Sequence, residues 1–432
     1  MRVLFATYSE KTHFLSMVPL AWALRSAGHD VRVASQPELT DAITTAGLLA
    51  VPVGEDHTLW VAAGRVLNKR FAEANPQMYK KIRLGRTPPF DLPQQRNLIT
   101  WEYLRAAADD AASMARLINS SMLADLVGFA RAWQPDLVIW EPTTYAAPIA
   151  ARAVGAPHLR FMWGPDHYGA VRGHFLRARE EQTPAERVDA LGGWVADQAA
   201  RHGVAFDEEL ITGQATIDQL PTALRCRGRL DYLPLRYVPY GGAAVVPDWL
   251  REPPTRTRVA LTLGLSATDR FGGYVVSVSA ILEALGDLDV EVVATIAEQE
   301  QERLGVVPDN VRLVSFVPLH ALLATCTAVI HHGGAGTVAT TTLLGLPQLI
   351  VPDQGDGEFA ATRIAHAGAG LLIPPEDADG SSVRAGLVRL LQEPAFAQCA
   401  AELRDEVLAM PTPHAVVSHL EEFVAMRKEV CP

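Results

Sequence analysis

The 432-residue chain has only four cysteines, Cys226, Cys326, Cys399 and Cys431, with no C-x-x-C spacing among them. That excludes a thiolate zinc site and a disulfide framework, and the expected home is a reducing cytoplasm. No apolar run approaches the ~18 residues that a membrane-spanning helix needs. The opening MRVLFAT reads as a buried strand. It lacks the apolar run and small-residue cleavage site of a signal peptide. Basic charge is also short: 38 Lys and Arg against 49 Asp and Glu leave a formal net charge of −11. A nucleic-acid partner needs a basic face, so that class is set aside. Neither G-x-G-x-x-G nor G-x-x-x-x-G-K-[ST] is present, which argues against nicotinamide or flavin enzymes and P-loop kinases.

What remains is an ordinary globular composition, 49% hydrophobic and 20% charged, at a length that suits two domains. Short β-rich runs alternate with amphipathic stretches, the pattern of βα units around a parallel sheet. In the first half the strands are read at 2–7, 31–35, 48–53 and 136–140. A polar loop at 8–13 leads into a helix from about 16, with Pro19 near its start. The stretch 60–101 breaks the rhythm and reads as an inserted loop or short helices that shape a binding mouth. Residues 225–252, rich in Pro, Gly and Tyr, read as an interdomain linker, or else as a proline-rich edge of one domain. A second series of strands follows at 259–263, 290–296, 311–316, 328–331, 348–351 and 370–373. The expectation is an α/β chain of two doubly wound, Rossmann-like parallel-sheet domains facing a cleft. Its divisions are 1–224, a linker 225–252, a second domain 253–412 and a final helix in 413–432.

The most informative string is AVIHHGGAGTVATTTLLG at 328–345. A buried strand runs into two histidines and three glycines, and a helix opens at Thr337. Glycines let the backbone approach a bound group, and the helix start offers N–H donors with a partial positive charge. That is an anion site suited to a diphosphate, with histidine donors beside it. The alternative is a glycine-rich turn that only packs a helix on a sheet. Two histidines at a strand's carboxyl end, where open α/β sheets bind ligands, favour the anion site.

HHGGAGT, then Pro352 and Asp356, resembles the donor signature of GT-B glycosyltransferases. Within them the chain is similar to the actinomycete enzymes that attach deoxysugars to macrolides and other polyketides. The resemblance runs through KTHFLSMVPLAWALRSAGHDV, PDLVIWEPTTYAAPIAARAVGAPH, WGPD and FDEELITGQATID. The last three, with the histidine motif, are most like transferases of amino-deoxysugars such as desosamine. The resemblance implies an inverting transfer of an amino-deoxyhexose from a dTDP-sugar to a hydroxyl of a hydrophobic polyketide aglycone, in antibiotic-type biosynthesis. The acceptor would sit in the first domain and the donor in the second, with the last helix returning to the first.

The same resemblance assigns residues. Gly264 and Ser266 would meet the pyrophosphate, and backbone beside Phe316, Val317 and Pro318 the base. His331 would contact phosphate, His332 would add a donor, and Gly334, Ala335, Gly336 and Thr337 would supply backbone donors. Asp356 would read the sugar; the glutamine that commonly follows is Gly357 here, which suits a sugar with fewer hydroxyls. His13, in T-H-F-x-x-x-V-P, matches the family's catalytic base. Imidazole is the side chain that exchanges a proton near neutral pH, although a polar-loop histidine can also be mere surface. Glu141 matches an orienting aspartate, or else it caps or pairs locally. Asp166 is read first as a helix cap. No metal cofactor is expected. A haem-less relative of the cytochrome monooxygenases would serve as helper, packing on 60–101 and 174–187, unless the acceptor itself orders them. A homodimer stays open. The rival functions are a sugar-nucleotide epimerase of the same architecture and a non-catalytic nucleotide-sugar-binding partner.

Overall fold

The computed structural model describes residues 1–91, 99–226, 228–264, 273–353 and 355–430. Seven parallel strands form the first sheet: β1 Arg2–Ala6, β2 Asp30–Ser35, β3 Leu49–Pro52, β4 Leu137–Trp140, β5 His158–Phe161, β6 Thr216–Asp218 and β7 Tyr232–Pro234. Their order is β3-β2-β1-β4-β5-β6-β7. Six more form the second: β8 Arg258–Thr262, β9 Glu291–Thr295, β10 Val311–Val314, β11 Ala328–His331, β12 Gln348–Ile350 and β13 Gly370–Leu372. These run β10-β9-β8-β11-β12-β13, again all parallel. Central strands such as β4 (LVIW) are apolar throughout and fully buried, as helices on both faces of a parallel sheet require.

Each sheet reverses its strand order once, between β1 and β4 and between β8 and β11. Such switch points leave a crevice at the strands' carboxyl ends, where open α/β sheets hold ligands. The registers Ala6↔Trp140 and Thr262↔His331 put the loops after these strand pairs level with each other.

Several boundaries differ from the sequence-based expectation. The first helix spans Lys11–Ser26, with Glu10 as N-cap and Pro19 inside it. His13 therefore stands in a helical first turn, not in a loop. An interior proline forfeits one backbone hydrogen bond, which burial of Phe14, Met17, Val18, Leu20, Ala21 and Leu24 offsets. Residues 225–252 are not all linker, because β7 pairs with β6 in the first sheet. The segment between the sheets is 235–257, and its first residue, Leu235, lies in the first domain's core. The described residues of the insertion are mainly helical, with Leu59–Val66, Lys69–Ala74 and Pro76–Arg83, while 92–98 lie outside the described residues and the long helix Trp101–Asn119 begins where the insertion ends. The last helix, Pro413–Val430, sends Val416, Val417, Leu420 and Val424 into the core beneath the first helix.

Candidate active site

The first switch point brings together His13, in the first turn of the helix after β1, and Glu141, in the loop after β4. Glu141 follows β4 directly and is fully buried. Its Oε1 accepts from the Thr143 amide at 3.1 Å, the Thr143 hydroxyl at 2.7 Å and the Thr144 hydroxyl at 2.5 Å. Thr144 Oγ1 in turn accepts from the Tyr8 amide at 2.9 Å, so the loops after β1 and β4 are tied together. The other oxygen, Oε2, lies 3.3 Å from His13 Nδ1. That is ion-pair distance without hydrogen-bond alignment. The ring of Trp163, in the loop after β5, stacks on His13 at 4.1 Å and 18°, and Tyr8 meets it edge-on at 5.3 Å. Thr143 and Thr144 after β4 and the tryptophan of WGPD are site residues to which motif reading alone gives no role.

At the second switch point the two histidines part. His331 is fully buried and both its ring nitrogens are engaged. Nδ1 accepts from the Gly333 amide at 3.0 Å, which leaves the proton on Nε2, 2.9 Å from Gln348 Oε1. Burial pushes its pKa down to about 3. The expectation that His331 touches phosphate is therefore corrected: it is an internal brace for the glycine loop. His332 points the other way, its Nδ1 3.4 Å from the Thr262 carbonyl. Burial lowers its pKa too, so a neutral ring faces the cleft. Gly264 has φ +70°, and a Cβ there would lie 2.7 Å from the His332 ring; one at Gly334 would lie 2.5 Å away. Both positions must be glycine for that ring to fit between them. Gly334 caps the helix Ala335–Leu343, whose first amides, those of Ala335, Gly336 and Thr337, have no intrahelical acceptor. Ser266 lies outside the described residues. Val317 turns its side chain into the core, leaving its backbone beside the exposed ring of Phe316.

The two halves meet at Gly164, next to Trp163. A Cβ there would come 2.8 Å from Asp356 Oδ2 and 3.4 Å from the Ala335 Cβ. Asp356 keeps some exposure through the cleft, but Oδ2 is shielded and has no hydrogen-bond partner among the described residues. Burial raises its pKa to about 6, against the opposing pull of its own backbone and of His13. Asp353, 2% exposed, is likewise pushed to about 6 by burial, with Arg83 opposing from 3.9 Å. Gly357 packs against the His332 carbonyl, 3.1 Å from its virtual Cβ, so the missing glutamine also has a packing reason. From the insertion, Arg86 pairs with Glu358 at 2.9 Å and Glu376 at 3.0 Å. Asp166 is a cap, accepting from the Gly169 amide at 2.8 Å and pairing with buried Arg160 at 2.6 Å. Among the described residues, no helix is long and apolar enough to cross a membrane.

The two-domain architecture that carries these residues has close parallels among solved structures. The chain is similar to the glycosyltransferase VinC crystallised with dTDP, at 41% identity and TM-score 0.85, covering 99% of this chain and 100% of that one. It is thus a glycosyltransferase of the GT-B fold. Residues 22–264 and 279–423 match the N- and C-terminal domains of the erythromycin biosynthesis protein CIII-like family, to which the chain belongs. Among characterised relatives, the 10-deoxymethynolide desosaminyltransferase of Streptomyces venezuelae is 44% identical over 99% of this chain and 98% of the relative. The aclacinomycin-T 2-deoxy-L-fucose transferase of Streptomyces galilaeus is 43% identical over 98% and 96%. These relatives favour neither the epimerase nor the non-catalytic reading.

Proposed function

We propose that the chain moves an amino-deoxyhexose from a dTDP-sugar to a hydroxyl of a hydrophobic polyketide or macrolide aglycone, inverting the anomeric carbon without a metal. His13, held by Glu141, takes the acceptor hydroxyl proton. The freed oxygen bonds to the anomeric carbon as the bond to the diphosphate breaks, its electron pair leaving on phosphate. That developing charge falls on the amides of Ala335, Gly336 and Thr337 and on His332, whose Nε2 takes up a proton beside the diphosphate and donates to it. Asp356 meets the sugar, and its carboxylate suits a cationic amino group as well as hydroxyls. The desosaminyl relative supports the aminosugar, and dTDP in the VinC structure supports the base. Apolar side chains of Leu104, Met114 and Phe175 line a pocket with Tyr145 and Tyr168, in keeping with a lipophilic acceptor.

The observation that carries this reading is the convergence at Trp163 and Gly164. One contacts His13 of the first domain; the other abuts Asp356 and Ala335 of the second. Its test is product analysis after incubation with dTDP-deoxysugars and polyketide aglycones. A glycosylated aglycone of opposite anomeric configuration is expected, and a retained configuration would reject the inverting mechanism.

A helper protein belongs to the same proposal. The helices Leu59–Val66, Lys69–Ala74 and Pro76–Arg83 contain no fully buried residue, and Val61, Val66 and Met78 are exposed. Such segments gain most from a partner that packs on them. The stretch 174–187 gives no such support: Phe175 is buried, and Arg187 closes the turn onto the carbonyls of Gln182 and Glu180. Robust multiple turnover by the chain alone would reject the helper and leave the transferase reading intact.

A further inference from the structure

We propose that Trp163 is a positioning residue for the transfer, a role that rests on His13 acting as the base. The stacked indole fixes the plane of the imidazole and stabilises the imidazolium formed when the acceptor proton is taken. Glu141 reaches His13 at one atom only, 3.3 Å from Nδ1 and poorly aligned. One such contact leaves the ring free to turn about the axis towards the carboxylate. Trp163 removes that freedom by covering one face at 4.1 Å and 18°, and Tyr8 blocks an edge at 84°. Three loops, after β1, β4 and β5, thus converge on one ring. The ring planes are parallel, so the indole adds no hydrogen bond and leaves Nε2 to the acceptor.

The electrostatics are selective. An aromatic face attracts a cation far more than a neutral ring, and tryptophan is the strongest of the three aromatics in this respect. A neutral imidazole, the form a base needs, gains little from the indole face, whereas the imidazolium of the transition state gains more, and only such a difference accelerates the reaction. The choice of tryptophan also carries a penalty. Its Nε1–H is buried and finds no acceptor among the described residues, a cost that phenylalanine would avoid. The indole is therefore held for its face and not for its N–H.

The test compares Trp163→Leu, Trp163→Phe and His13→Ala in steady-state and pH-dependent kinetics. Trp163→Leu is expected to lower kcat about 3- to 30-fold with the KM of donor and acceptor within about twofold. With the cation less favoured, the base loses its proton sooner, so the acid limb of kcat/KM moves to lower pH by about 0.5. Trp163→Phe should restore most of kcat. In a His13→Ala background, Trp163→Leu should cause no further loss. Trp163→Met, equally without a π face, stands in if the leucine variant does not fold. An unmoved acid limb, equal losses in the leucine and phenylalanine variants, or an undiminished loss without His13 would each overturn the proposal. Full activity of His13→Ala alone would instead reject the base itself.

Discussion

The division of labour between the two adjacent histidines is open to direct measurement. Replacing His331 by alanine leaves the Gly333 amide and Gln348 Oε1 without partners in a fully buried site. Each orphaned group costs about 1–3 kcal/mol, and the void left by the ring adds to it. A total of about 3–5 kcal/mol is expected. At about 2–4 °C per kcal/mol for a domain of this size, the melting temperature should fall by roughly 10 °C. The affinity of the folded protein for dTDP should change little. His332→Ala should do the opposite. Its ring is only partly buried and holds one long contact to the Thr262 carbonyl, so the melting temperature should stay within about 2 °C. Loss of a hydrogen bond to a charged group, about 1.5–3 kcal/mol, should weaken dTDP binding about 10- to 100-fold. Thermal unfolding read by circular dichroism, with dTDP titrations by calorimetry, separates the two. The reverse pattern, with His331→Ala weakening dTDP and leaving stability intact, would refute the brace assignment.

His13→Ala should lower kcat about 10²- to 10⁴-fold while dTDP affinity stays near normal, and Glu141→Gln should lower kcat less; full activity of the alanine variant would remove His13 from the chemistry. Asp356→Ala should impair use of the intact donor far more than binding of free dTDP, because the proposed function sets the sugar against its carboxyl; equal effects on both ligands would move it to the phosphate. Asp353 is raised by burial from 3.8 to about 6, so its contribution to stability is fully present below pH ~4 and is lost as pH rises through ~6. Asp353→Asn should therefore raise the melting temperature at pH 7.5 and lose that advantage at pH 4.5, on a scale of about 1–3 kcal/mol; a gain independent of pH would contradict the direction.

Much of the fold was legible because its central strands are apolar runs between turn residues. β1, β2, β4 and β8–β13 stand within a residue or two of where alternation placed them. β5, β6 and β7 were missed for a physical reason. β5 is HLRF, and its buried Arg160 is neutralised by Asp166 and bonded to Thr216 of β6, so the charge hides a core strand. Pro19 suggested a helix start, but the carboxylate cap at Glu10 and a fully apolar inner face outweigh one lost bond. In the site, the motif puts both histidines at the carboxyl end of β11 but does not say which turns inward. That depends on Gln348, 17 residues away along the chain on the neighbouring strand β12. Trp163 and the Thr143–Thr144 cradle of Glu141 act through other residues and carry no spacing signature.

The central claim is that a base on the first domain and a nucleotide-sugar site on the second form one reaction centre for glycosyl transfer. A single-turnover reaction with enzyme in excess tests it most directly, using an isotopically labelled dTDP-amino-deoxysugar and a polyketide aglycone, followed by mass spectrometry of all products. Label on the aglycone with stoichiometric release of dTDP in the wild type, and its loss in His13→Ala with donor still bound, is the predicted result. Donor bound but epimerised or merely hydrolysed, with no label on any aglycone in the wild type, would contradict it.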